Sequence, residues 1–151
     1  MVLSKEQRSE QLLEAARDVF ADRGFHAATV DDIVARAEVA RGTFYLYFGD
    51  KRAVFEALVD RFFERVANSV TRIDISASAP TTPIEQLRAN LLRVTELALA
   101  DPSTMKILLN DAAALDPEFS AKLDAFYAAL RSLLLDALEE GQRIGLIRDG
   151  D

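Results

Sequence analysis

Apolar residues recur at steps of three and four along nearly the whole chain, which is the spacing of one face of an α-helix. The stretch from Val54 to Val66 is the strongest example, and its wide apolar stripe predicts a helix buried along a long side. The strict alternation of apolar and polar residues that is typical of half-buried strands is nearly absent. The sequence therefore predicts an all-α fold.

Composition places the chain among globular proteins. It has 151 residues, of which 50% are hydrophobic and 28% are charged, and this length can bury a core without covalent staples. Cysteine is absent, which excludes disulfides and thiolate metal sites and fits a reducing cytoplasm. No signal peptide and no apolar run of membrane-spanning length is visible. We expect a soluble cytoplasmic protein that has no membrane partner.

Capping residues and helix breakers set the expected helix boundaries. Ser4 and Gln7 fit a capping box, Gly24 is expected to end the first helix in a left-handed conformation, and Phe25–Ala28 is read as a connector. A tight turn is expected at Glu38–Ala40, and the one linker-like segment covers residues 76–83. The predicted helices run from Ser4 to Gly24, from Thr29 to the tight turn, for about two turns from Arg41, from about Lys51 to about Val70, from about Ile84 to Ala100, from Pro102 to about Leu115, and from Pro117 to about Gly145.

An aromatic cluster within "VARGTFYLYFGDK" dominates the third predicted helix. Phe44, Tyr45, Tyr47 and Phe48 are a third of all the aromatic residues in a chain with nine Phe, three Tyr and no Trp. On a helical wheel, Phe44 and Phe48 share one face and the two tyrosines lie on the flanks. The opposite face carries Gly42, Thr43 and Leu46. We therefore expect the two phenylalanines to anchor the helix and the tyrosines to present hydroxyl groups at its shoulders.

This arrangement suits a helix that enters the major groove of DNA. Such a helix needs an anchored back, a slim front and donors that reach phosphates from its shoulders. Gly42 keeps the front slim, and Thr43 offers a hydroxyl to a phosphate or a methyl to thymine. Lys51 and Thr29 begin the neighbouring helices, where backbone amides favour a phosphate. The tight spacing of the second and third helices completes a helix-turn-helix pattern.

The charge distribution limits where nucleic acid could bind. The net charge of −7 argues against a general polyanion binder. Residues 1–52 carry 8 Lys/Arg against 9 Asp/Glu, whereas residues 53–151 carry 10 against 16. DNA contact is therefore expected in the N-terminal third, through local placement of donors and not through a broad basic field.

The segment "TVDDIVARAEVARGTFYLYFGDKRAVFEAL" resembles the DNA-binding half of the tetracycline-repressor (TetR) family of bacterial transcription regulators. In that family a Thr opens the second helix, and a turn then leads to a Gly-Thr-aromatic-Tyr-x-Tyr-Phe run with a Lys shortly after it. The positions of this sequence that match are Thr29, Gly42, Thr43, Phe44, Tyr45, Tyr47, Phe48 and Lys51. The resemblance is strong over roughly residues 8–60, and beyond them only the all-helical pattern agrees.

The resemblance implies a homodimeric repressor that binds palindromic operator DNA and is released by a small-molecule effector. It implies a helix-turn-helix head at residues 1–50 and a C-terminal helical bundle for effector binding and dimerisation at residues 51–151. By motif position, the residues that would contact the DNA backbone or lie near it are Thr29, Thr43, Tyr45, Tyr47 and Lys51. The residues expected to influence base choice are Arg41, Gly42 and Leu46.

Three features depart from the family pattern. Glu38 occupies a turn position that usually holds Gly, and a left-handed conformation there is expected to cost about 1 kcal/mol. Ala40 occupies a capping position that often holds Ser, and the missing cap is expected to cost about 0.5–2 kcal/mol. The chain also stops at "GLIRDGD", whereas family members normally continue into two more helices that build most of the dimer interface. The sequence is either a fragment of a longer protein or a short member with another dimer surface.

Few other residues indicate chemistry. His26 is the only histidine, and no metal-ligand cluster, catalytic constellation, glycine-rich phosphate loop or cofactor motif accompanies it. We expect neither an enzyme nor a bound cofactor. Five candidates could line an effector pocket, although exposure to water is the simpler explanation for the polar ones and core packing for the aromatic ones: Met105, Asn110, Asp111, Phe126 and Tyr127. The alternative function is a helical small-molecule-binding or interaction protein that retains the head without binding an operator.

Overall fold

The computed structural model describes residues 3–76, 78–110, 117–143 and 145. Within these ranges the chain forms seven helices and no strand. The helices are α1 Lys5–Ala27, α2 Val30–Arg36, α3 Arg41–Tyr45, α4 Lys51–Ser69, α5 Pro83–Ala100, α6 Pro102–Asn110 and α7 Pro117–Arg143. The predicted all-α fold is confirmed, and the helix boundaries within the described ranges follow the predicted ones closely.

The first helix begins as predicted but continues further. The Ser4 hydroxyl accepts from the Gln7 backbone N–H at 3.2 Å, and the Gln7 side chain accepts from the Ser4 N–H at 2.8 Å. Gly24 has φ 76° and ψ 160°, which interrupts the regular helix without ending it. Helical structure resumes up to Ala27, so the prediction of a connector from Phe25 was wrong. Gly24 acts as a kink because glycine adopts positive φ without steric cost.

The helix-turn-helix unit is built from local caps and one strained residue. Thr29 and Asp32 form a capping box at the start of α2. Glu38 has φ 55° in the turn, the left-handed conformation that the sequence predicted. Ala40 precedes α3 without a side-chain cap, also as predicted. The regular part of α3 has only 5 residues, but hydrogen bonds from the next N–H groups continue the turns to Phe48.

One hydrophobic cluster joins the N-terminal helices to the later ones. Phe20 of α1 and Phe55 of α4 are fully buried, with ring centroids 5.4 Å apart. The Phe55 ring also lies 5.4 Å from that of Phe119 at the start of α7. Ile107 of α6 belongs to the same cluster. Burying each such side chain contributes about 1.5–3 kcal/mol, so the cluster holds α1 against α4 and α6, which follow the turn motif in the chain.

The chain between α4 and α5 is fastened to α5 by two amide side chains one helical turn apart. The Asn90 amide accepts from the Thr71 N–H at 3.1 Å and donates to the Thr71 carbonyl at 2.7 Å. Gln86 makes the same pair of bonds with Asp74, at 2.7 and 2.9 Å. These bonds satisfy backbone groups that a helix or strand would otherwise pair.

The strained turn offers a direct stability test. Replacing Glu38 by Gly removes the steric cost of holding a side chain in the left-handed conformation. The greater freedom of glycine in the unfolded chain offsets part of this gain in stability. We expect Glu38→Gly to raise the free energy of unfolding by about 0.5–1 kcal/mol, measured by urea denaturation. The control is Ala35→Gly in the exposed part of α2, which should lower it by about 1 kcal/mol. Equal losses in both variants would mean that the turn does not favour glycine.

Candidate nucleic-acid interface

The third helix has a buried back and an open front. Phe44 is completely buried, and its ring lies 5.8 Å from that of Phe48, which is partly buried against the core. Leu46 is 78% exposed and Tyr45 46% exposed. No atom lies within 4 Å of the place where a Cβ on Gly42 would sit, so the front is slim. The prediction that the two phenylalanines anchor this helix is confirmed.

The two tyrosines differ in their surroundings. Tyr45 is largely exposed, and its hydroxyl lies 3.4 Å from Nη2 of Arg41. Tyr47 is half-buried and packs against the hydrophobic cluster. Tyrosine combines an apolar body with a polar tip, so Tyr47 can pack and still present its hydroxyl. The shoulders are therefore unequal: Tyr45 is the freer of the two.

The hydroxyl of Thr29 is used in capping α2. It donates to the Asp32 carboxylate at 2.7 Å and accepts from the Asp32 N–H at 3.1 Å. The hydrogen bonds from the Thr29 side chain and backbone, with a smaller contribution from Arg23, lower the pKa of Asp32. The cap is therefore complete at neutral pH and weakens only as the pH falls through the depressed pKa of Asp32. On the front of α3, Thr43 is half-buried.

Arg41 is paired with an acid of the preceding helix. Its Nη1 lies 2.8 and 2.9 Å from the two carboxylate oxygens of Asp31. The hydrogen bond to the Tyr45 hydroxyl and then the charge of Asp31 raise the pKa of Arg41 above its ordinary value. Sequence reasoning selected Arg41 but missed Asp31. The available signal was an acid near the start of α2 and an arginine at the start of α3, which a helix-turn-helix brings close together.

Lys51 lies in a more enclosed position than the sequence indicated. Its ammonium donates to the carbonyls of Phe25 at 2.6 Å, Ala28 at 2.8 Å and His26 at 3.3 Å. It also lies 4.4 Å from the centroid of the Phe25 ring, within the range of a cation–π interaction. The ammonium thus closes the C-terminal end of α1, a role that sequence reasoning did not foresee.

The candidate effector-binding residues are scattered. Met105 packs partly buried against the core, Asn110 is exposed, and Tyr127 is 52% exposed. The Phe126 ring stacks on Phe63 with centroids 3.8 Å apart. Asp111 lies outside the described residues. Of the four described candidates, none lines a polar hollow of about 80 Å³ that lies among α1, α4 and α6.

That hollow is bordered by an ionic cluster. Asp101 accepts from the Thr104 N–H at 3.1 Å and from its hydroxyl at 2.7 Å, which caps α6. The same carboxylate lies 3.9 Å from Arg17 of α1 and 4.0 Å from Arg65 of α4.

Among the described residues, no His/Cys/Asp/Glu group could hold a metal ion. The same ranges contain no helix that is both long and apolar enough to span a bilayer.

The comparisons with known proteins agree with this geometry. The family described as "Bacterial regulatory proteins, tetR family" matches residues 12–58. The transcriptional activator FasR of Mycolicibacterium smegmatis is 27% identical over 136 residues, which cover 90% of this chain and 61% of FasR. This chain thus spans about three fifths of the length of that relative.

Solved structures extend the similarity across the whole fold. A TetR-like regulator from Rhodococcus sp. RHA1 superposes with a TM-score of 0.79 at 28% identity, covering 96% of this chain and 76% of that one. FadR of Bacillus subtilis in complex with stearoyl-CoA gives a TM-score of 0.71 at 26% identity, covering 94% and 75%. The chain is therefore similar to the tetR family of bacterial regulatory proteins in sequence over residues 12–58, and it is similar to TetR-like regulators in fold along most of its length.

Lys51 can be tested for both structural and DNA-binding roles. Lys51→Met keeps an apolar stem beside Phe25 but removes the donor to three carbonyls, so we expect a loss of about 1–3 kcal/mol in the free energy of unfolding without DNA. If Lys51 also contacts a phosphate, the variant will bind all duplexes more weakly, with a salt dependence smaller by about one unit.

Lys106→Met is the matched control. Lys106 donates to the Ala21 carbonyl at 2.5 Å from α6, so the variant loses the same charge and a bond of the same kind away from α3. It should lower stability and leave the salt dependence unchanged. If Lys51→Met also leaves the salt dependence unchanged, Lys51 serves α1 alone and its predicted phosphate contact is wrong.

Proposed function

We propose that this chain recognises an operator in double-stranded DNA by placing the front of α3 in the major groove. The observation that carries the proposal is the contrast within α3: Phe44 is wholly buried, whereas Tyr45 and Leu46 are exposed and nothing crowds Gly42. A five-residue helix that points a slim, exposed front outward from a rigid core has the shape that groove entry requires.

The contacts divide by chemistry. We assign phosphate or near-phosphate contacts to Thr29, Thr43, Tyr45, Tyr47 and Lys51. The residues assigned to base choice are Arg41, Gly42 and Leu46. Arginine donates to two guanine acceptors, and an exposed Leu can contact a thymine methyl. The polar groups of Thr29 and Lys51 already make hydrogen bonds within the protein. To contact DNA, each must share its donor group between that internal partner and a phosphate.

We further propose that residues 1–50 form the DNA-binding domain and residues 51–151 the effector-binding and dimerisation domain of a cytoplasmic, non-enzymatic regulator. Dimerisation is supported by an exposed apolar stripe on α5. Its members, Ile84, Leu91, Leu92 and Leu99, are each at least half exposed and lie on one side of the helix. Apolar patches that are continuous and exposed commonly mark protein interfaces.

For the effector we propose a long-chain acyl-CoA. The support is the similarity along almost the whole chain to FadR of Bacillus subtilis, which was solved with stearoyl-CoA. The packed sides of α4, α6 and α7 carry buried apolar residues such as Val59, Ile107 and Phe119, an environment that suits an acyl chain. We propose that binding shifts the two DNA-binding heads of a dimer apart and releases the operator, so that the protein acts as a repressor.

Selection from a random pool of DNA duplexes tests operator recognition and its regulation by the effector in one experiment. We expect the protein to enrich a palindrome, and stearoyl-CoA, but not CoA alone, to release the enriched duplex. The CoA control separates acyl recognition from the binding of a nucleotide-like anion. Failure to enrich any sequence would support the alternative, a helical binding protein without an operator. An enriched palindrome that stearoyl-CoA leaves bound would refute only the effector class.

The dimer makes a separate geometric prediction. Two half-sites should lie about 34–36 Å apart or at a multiple of that distance, because each recognition helix must meet the same face of DNA. Light scattering should give twice the chain mass at micromolar concentration. Leu92→Glu on the apolar stripe should shift the protein toward monomer, whereas Ala100→Glu, at an exposed position away from the stripe on the same helix, should not. A wild-type monomer at high concentration would contradict the proposal for these 151 residues.

A further inference from the structure

The Arg41–Asp31 pair joins two helices of the turn motif at the surface. Both side chains are more than half exposed, at 58% and 66%. An ion pair in such a position contributes about 0–1 kcal/mol to stability, so the fold gains little from it. The pair does restrict Arg41, whose long side chain would otherwise sample many rotamers at a cost of about 2 kcal/mol when it becomes ordered.

The pairing leaves one edge of the guanidinium available. Nη1 is directed at the Asp31 carboxylate, and Nη2 lies 3.4 Å from the Tyr45 hydroxyl, a weak contact. In the described part of the chain, Nε of Arg41 makes no hydrogen bond. The Nε–Nη2 edge therefore keeps two donors side by side, which is the geometry that meets N7 and O6 of guanine.

We propose that Asp31 is a positioning residue that sets the base preference of Arg41. This inference rests on the proposed DNA-binding function and deepens it. Asp31 carries a negative charge beside the DNA-binding surface, so it opposes binding to any phosphate backbone. By occupying Nη1, it also keeps Arg41 from neutralising a phosphate with its full fork. Asp31 thus sharpens the choice of base and lowers affinity for DNA of arbitrary sequence.

A simpler role would be purely electrostatic within the protein. An acid in the first turn of α2 interacts favourably with the helix dipole. In that case Asp31→Asn would lower stability slightly and leave base preference unchanged. Base preference is therefore the measurement that separates the two roles.

The experiment is a double-variant cycle in the random-pool selection, with wild type, Asp31→Asn, Arg41→Ala and the combination. We expect Arg41→Ala to abolish the preference for a guanine at one position of each half-site. Asp31→Asn should reduce discrimination at the same position by about fivefold to tenfold, part of the value of a bidentate base contact. In the combined variant Asp31→Asn should have no further effect, because the two residues act as one unit.

Two more variants complete the test. Asp22→Asn removes an acid of α1 that pairs with Arg36 at 3.4 Å, so it changes the net charge equally without touching Arg41. Asp22→Asn should leave base preference intact. Asp31→Glu keeps the carboxylate and should therefore retain part of the preference that Asp31→Asn loses. Affinity of Asp31→Asn for random duplex should equal or exceed that of wild type.

Specific outcomes overturn the inference. If Asp31→Asn discriminates as well as wild type, or if Asp22→Asn relaxes the same position equally, Asp31 does not position Arg41. If Arg41→Ala keeps the full preference, Arg41 does not read that base and the inference falls with it. If the wild-type protein enriches no sequence, the proposed function itself fails, a result that is distinguishable from the others.

Discussion

The burial of α1 between the turn motif and the later helices is the constraint on which the rest of the structure depends. Its inner face contributes Leu12, Ala16 and Phe20, which are at most 1% exposed, and it packs against α2, α4 and α6. Two lysines from other helices, Lys51 and Lys106, donate to carbonyls in the C-terminal part of α1. Because these carbonyls lie at or beside the Gly24 kink, charged donors satisfy groups that the interrupted helix leaves open.

That constraint explains how so short a helix can hold a defined outer surface. A helix of five residues is not stable alone in water, since its nucleation cost exceeds the few hydrogen bonds it makes. The complete burial of Phe44 fixes both its position and its rotation about the axis. The exposed side of α3 is therefore held in place by the burial of its opposite side. The direction of Arg41, at the start of α3, depends in addition on its surface contact with Asp31.

The later helices differ from α1 in how fully they are covered. Within the described ranges, α5 has one buried residue, the amide of Asn90, which holds the preceding loop. Its exposed apolar stripe contrasts with the N-terminal helices, where large apolar residues are mostly buried. The ionic cluster around Asp101 lies between these two regions and links α1, α4 and α6. A displacement of α6 would therefore reach α1 through Asp101 and through Lys106.

Much of the architecture could be predicted because it is determined locally. Ser4, Thr29 and Asp50 cap the helices that follow them, and each cap involves a residue only three positions away. The anchoring of α3 by Phe44 and Phe48 followed from helical periodicity, whereas the half-buried position of Tyr47 did not. The left-handed Glu38 was predictable from its place in the turn of the resembled family.

The remaining features were decided only by the tertiary structure. Lys51 reaches carbonyls 23 to 26 positions away, and Arg41 meets Asp31 10 positions away. A lysine at a helix start has the same local sequence whether it faces a phosphate or the end of another helix. Local periodicity and capping therefore determined which segments form helices and which faces are buried. The partners of the charged side chains depended on how those helices pack, because a hydrogen bond or ion pair requires that two groups distant in sequence be brought within about 3 Å.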